Sequence, residues 1–150
     1  MPLSTDILAE LVEKKHDLLV QLRDVGYRQM ELIDGADMTQ LLKLLSSKQR
    51  LLTALQDVER QLNPFRRENP DDRVWRTPAD RARCAELAAR SESLLAEVVE
   101  QEKRSETQLR AHRDRVAEEL EGAHQAARAA SAYSENPWTH SQQLDLSSEG

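Results

Sequence analysis

Apolar side chains recur along the first 62 residues at the three-and-four spacing of a helix. Ile7, Leu8, Leu11, Val12, Leu18, Leu19, Leu22, Val25, Met30, Leu32 and Ile33 form one set. Met38, Leu41, Leu42, Leu44, Leu45, Leu51, Leu52, Leu55, Val58 and Leu62 form the next. The spacing predicts helices over residues 5–33 and 37–62. Ser4, Thr5 or Asp6 is expected to cap the first, and Asp37 the second, because each can accept a bond from an unpaired first-turn amide. The tight turn between them, "DGA", should use Gly35 for the left-handed step after a helix end. A turn this short folds the second helix back as an antiparallel hairpin. Gly26 costs about 1 kcal/mol against Ala but does not end the first helix. Within the second, Lys48 and Gln49 interrupt the apolar run and are expected to mark the solvent side or a thin point in the seam.

The pattern then breaks. "NPFRRENPDDRVWRTP", residues 63–78, carries three prolines and several turn formers and predicts a loop over 63–77. Phe65, Val74 and Trp75 are its candidate anchors. A third helix is expected from Thr77 as cap and Pro78 as first residue, with Asp80 three after the cap, running over 78–131. Its face reads Cys84, Leu87, Ala88, Ser91, Leu94, Leu95 and Val98, then Leu109, His112, Val116, Leu120, Ala123, Ala127 and Ala130. Residues 100–108 ("EQEKRSETQ") hold no large apolar side chain, and beyond Leu120 the face is almost all Ala. Burial stabilises by about 0.8 kcal/mol per methylene, so the first half should pack firmly and the far end weakly. Residues 133–150 are polar with isolated Tyr133, Trp138, Leu144 and Leu146, and predict a disordered tail in which Pro137 stops any helix. The fold expected is all-α: an elongated antiparallel three-helix bundle or coiled coil over residues 1–132 with a long third helix.

Composition supports that picture and narrows the chemistry. Aromatic residues make up 3% of the 150, and there are four Gly and five Pro, which suits long helices. A net charge of −6 without a basic stripe argues against nucleic acid as partner. No apolar stretch reaches the roughly 18–20 residues of a membrane span, and "MPLSTDILAE" lacks the basic-then-apolar pattern of a secretory signal, so none is expected. A single cysteine fits a reducing compartment, so a cytoplasmic protein without membrane insertion is expected.

Catalytic and cofactor motifs do not assemble. No Gly-rich phosphate loop is present, and no two histidines share the spacing of paired metal ligands. His112 and His124 are too far apart on one helix to share a metal. Cys84 lies near Arg81 and Arg83, yet its helical spacing reads as core. The acid pairs Asp71–Asp72 and Glu118–Glu119 read as solvated surface. No enzyme activity, cofactor or metal is expected.

What remains for such a bundle is binding, through an apolar groove or a helix that exchanges partners. The segment "QMELIDGADMTQLLKLLSSKQRLLTALQDVERQL", residues 29–62, resembles the hairpin of the FlgN family of flagellar export chaperones. The matching positions are Asp34, Gly35, Asp37, Leu41, Leu42, Leu44, Leu45, Lys48, Gln49, Leu51, Leu52 and Leu55, with Asn63, Pro64 and Phe65 at the helix end. The resemblance is clearest over residues 22–65. It implies a type III export chaperone that keeps the helical termini of hook-associated (hook–filament junction) proteins soluble and also contacts the export apparatus. The client-binding residues it implies lie late on the third helix: Leu109, Val116, Leu120, Ala123, Ala127 and Tyr133. The nearest rival is a structural or adaptor coiled coil that forms a homo-oligomer through the third helix. A different type III secretion chaperone, or a regulator that binds a transcription factor, are further readings.

Overall fold

The computed structural model describes the backbone of residues 1–145 and the side chains of residues 1–134. It is all-α: α1 (Ser4–Asp34), α2 (Met38–Arg66), a single 3-10 turn (Pro70–Asp72) and α3 (Pro78–Asp145). There is no strand among the described residues. The chain divides into two compact units, Met1–Leu109 and Arg110–Gly150, where the sequence predicts one bundle to residue 132.

In the first unit α1, α2 and the early part of α3 form a three-helix bundle with three apolar clusters. Leu8, Leu11, Val12 and Leu18 meet Val58, Leu62 and Cys84. Leu19 and Leu22 meet Leu94 and Val98, with Leu51, Leu52 and Leu55 alongside. Leu32, Ile33 and Leu41 close the hairpin end, with Leu109 packed against them. Leu19 and Val58 are fully buried, and each such side chain contributes about 1.5–3 kcal/mol.

Local chemistry departs from expectation at several helix ends. Leu3, not Ser4 or Thr5, is the N-cap residue of α1, and Asp6 reaches back to accept the Leu3 N–H at 2.8 Å. Thr5 instead donates its hydroxyl to the Val74 carbonyl at 2.7 Å, tying the loop to α1. Asp37 caps α2 as expected, accepting the Gln40 N–H at 3.2 Å. Thr77 does the same for α3, accepting the Asp80 N–H at 3.1 Å.

The turn after α1 corrects the role assigned to Gly35. Gly35 is right-handed, with φ −77°, and Ala36 takes the left-handed step at φ 54°. The Ala36 N–H bonds to the Ile33 carbonyl and the Asp37 N–H to the Leu32 carbonyl, both at 3.0 Å. That pair of bonds is the Schellman arrangement, which places the left-handed residue one position later than the glycine.

Helix α2 continues through Pro64 to Arg66, four residues past the expected end. Pro64 sits in the last turn, and Arg73 donates to the Phe65 carbonyl at 2.6 Å, satisfying the helix end from outside. Of the three candidate anchors, Phe65 and Trp75 pack on the first cluster, while Val74 is exposed and contributes its carbonyl only.

In the second unit the helix runs past Ser131 and through Pro137, against the expected stop and tail. The helix continues to Asp145. The side chains of Trp138 and Leu144, and residues 146–150 including Leu146, lie outside the described residues.

Candidate functional site

Among the described residues, two surfaces group several apolar side chains without intramolecular cover. The first is a groove of about 600 Å³ in the bundle unit. Leu19 and Leu22 form its floor, and Leu52, Leu55, Leu95 and Val99 its walls. Leu95 is 37% exposed and Val99 46%. The reason is visible in α3. Leu94 and Val98 face α1, and their neighbours Leu95 and Val99 lie about 100° further round, beyond what the seam covers. Leu109 lines the groove and packs on the hairpin-end cluster. Ser105 also lines it; its hydroxyl is buried and has no hydrogen-bond partner.

Beneath the groove the apolar seam gives way to polar residues. Lys48, expected at the solvent side or a thin point, is 6% exposed and so belongs to the seam. Its ammonium donates to Gln29 Oε1 at 2.9 Å and pairs with Glu102. Burial pulls the Lys48 pKa below the usual lysine value. Gln101 is also buried, and its Nε2 donates to the Arg23 carbonyl at 3.0 Å. That contact needs Gly26: a Cβ there would stand 2.1 Å from Gln101 Oε1. The run 100–108, read from sequence as lacking large apolar groups, is thus a packed polar layer on one face. At its edge Tyr27 donates to the Glu97 carboxylate, which raises the tyrosine's pKa.

The second surface lies in the second unit. From Arg113 to Ser134 every residue is exposed. Val116, Leu120, Ala123, Ala127 and Ala130 follow one another at steps of four, three, four and three, so they share one stripe. Leu120 is 66% exposed, on a stretch of helix with no buried face. Of the six client-binding residues expected, Val116, Leu120, Ala123 and Ala127 fall on this stripe. Tyr133, also exposed, lies about 120° round the helix from Ala127 at 3.6 residues per turn. Leu109 belongs instead to the first unit. His112 is half-buried, as expected of a seam edge.

No group of three or more His, Cys, Asp or Glu side chains among the described residues could hold a metal ion. Cys84 is buried, and burial pushes its thiol pKa up against the weaker pull of Arg73. No helix among the described residues is long and apolar enough to cross a membrane.

Comparison with models of known protein families, with curated proteins and with solved structures finds no match to this chain.

The groove walls and the Lys48 layer were not singled out from sequence. The doubled pairs Leu94–Leu95 and Val98–Val99 carried the signal for the groove, since a helix facing a single seam needs only one member of each.

Proposed function

We propose that this chain binds amphipathic helical segments of partner proteins and acts as a flagellar type III export chaperone of the FlgN kind. The observation that carries the binding is the exposed stripe Val116, Leu120, Ala123, Ala127 and Ala130. A helix with no buried face draws little stability from packing, and most helices in proteins depend on such packing. A partner helix laid along the stripe would supply it, with the Ala positions allowing close approach. The clients in this reading are the helical termini of hook-associated proteins, with the export apparatus as a second contact, all in the cytoplasm. The flagellar assignment rests on the resemblance of residues 29–62.

The test is co-purification with hook–filament junction proteins. Capture that is lost on Val116→Asp with Leu120→Asp, in a chain still folded by circular dichroism, supports the reading. Capture that survives both changes removes the stripe as the site, and failure to capture any junction protein removes the function.

The heptad spacing of the same stripe favours a second reading, an adaptor coiled coil that pairs with a copy of itself. Light scattering on the isolated chain separates the two: a dimer that dissociates on Leu120→Asp favours self-pairing.

A further inference from the structure

A second cavity, of about 400 Å³, lies at the opposite end of the bundle unit from the α1–α2 turn, and the partner-binding reading makes no use of it. One wall is a row on α3 from Arg81 through Cys84 and Ala88 to Ser91, about 15 Å long at 1.5 Å per residue. Phe65, Trp75 and Leu62 form the apolar side. A size of this order is typical of small-molecule sites.

Its polar groups are unequally satisfied. Lys15 and Arg66 line the cleft but are paired with Glu59, whose carboxyl is raised by burial and lowered further by both cations, the net shift being downward. Arg73 spends one nitrogen on the Phe65 carbonyl, while its buried Nε has no hydrogen-bond acceptor and sees Glu68 only at 3.6 Å. Arg81 has no ion-pair partner among the described residues. At the far end Ser91 is 2% exposed and its hydroxyl is unpaired. Glu92 stands at that end as the cleft's lining carboxylate. A buried donor without a partner is costly, so Arg73 Nε and Ser91 Oγ each gain from a ligand that supplies one.

We propose that this cleft binds a small, elongated amphipathic anion. Its carboxylate is held by Arg73 Nε and Arg81, its apolar body lies against Cys84, Phe65 and Trp75, and a polar group at its other end meets the Ser91 hydroxyl. Arg81 and Arg73 at one end and Ser91 at the other set the order of groups: charge, chain, hydrogen-bonding end.

The experiment uses the full chain carrying Trp138→Phe, which leaves Trp75 as the reporter among the two tryptophans. Three compounds are titrated while Trp75 emission is followed: 8-hydroxyoctanoate, octanoate and 1,8-octanediol. The expected result is saturable binding of 8-hydroxyoctanoate, weaker binding of octanoate, and a loss of about tenfold or more for the uncharged diol. Arg81→Ala should weaken both carboxylates, and Ser91→Ala should erase the advantage of the hydroxyl-bearing one, with helicity unchanged. Ala88→Leu, which fills the cleft from an exposed position, should abolish binding independently. No saturable change with either carboxylate, a diol that binds as tightly as they do, or indifference to Arg81→Ala would each overturn the proposal.

Discussion

Gly26 on α1 and Gln101 on α3 occupy one space: a Cβ at residue 26 would stand 2.1 Å from Gln101 Oε1, while Gln101 Nε2 donates to the Arg23 carbonyl at 3.0 Å. The glycine is there for the neighbour. Gly26→Ala alone should therefore bring little or no stability, because the gain in helix propensity is offset by displacing a buried amide. In a Gln101→Ala background the same change should stabilise by about 1 kcal/mol. Denaturant unfolding of the four variants in a double-mutant cycle reads this coupling, and purely additive effects would contradict it.

Lys48 bonded to Gln29 and paired with Glu102 is a buried cation in a seam of leucines. Its pKa is lowered, so holding the charge costs the folded state at neutral pH, and that cost disappears only as pH rises through the lowered value. Lys48→Met, which keeps the volume, should leave stability within about 1 kcal/mol of the parent or raise it. Lys48→Glu should cost about 3 kcal/mol or more, because it buries a carboxylate in the seam with no cation and with the half-exposed Glu102 carboxylate beside it. A large loss with Met would mean the ion pair itself holds the bundle.

The α1–α2 turn favours opposite substitutions at two adjacent residues. Ala36 carries the positive φ, so Ala36→Gly should stabilise by about 1 kcal/mol. Gly35 is right-handed, and a Cβ there would meet only the Glu31 carbonyl at 3.4 Å. Gly35→Ala should be neutral or slightly favourable. Thermal midpoints of the two variants suffice, and a destabilised Ala36→Gly would refute the assignment of the left-handed step.

Arg76 clamps the N-terminus, donating to Asp6 Oδ2 at 2.8 Å and to the Met1 carbonyl at 2.7 Å. The Arg76 hydrogen bond, and then the Leu3 N–H, hold the Asp6 pKa below its ordinary 3.8. A lowered acid pKa means stability that is fully present above 3.8 and lost as pH falls through the lower folded-state value. Unfolding midpoints measured from pH 5 to pH 2 should fall less steeply for Asp6→Asn than for the parent. Parallel curves would show that the clamp adds nothing.

Much of the fold was legible because periodicity and caps are local. The leucines of α1 and α2, the Asp37 and Thr77 caps and the core place of Cys84 follow from spacing alone. The misses have a common cause: they depend on what lies across the seam. Lys48 read as either the solvent side or a thin point in the seam, and nothing in its own helix shows Gln29 and Glu102 facing it to decide for the seam. Gly26 looked like a mere cost because Gln101 is 75 residues away. Pro64 and Asn63 read as a stop because the Arg73 side chain that finishes α2 comes from later in the loop. The stripe after Leu109 was legible as weak self-packing, and residues 113–134 are exposed throughout, but periodicity alone could not place Leu109 in the bundle or carry the helix on to Tyr133.

Hydrogen exchange on the full chain, alone and with a hook–filament junction protein, tests the central claim most directly. The account predicts fast exchange across residues 113–134 in the free chain and marked protection there in the mixture. Protection confined to residues 1–109, or none anywhere, would contradict it.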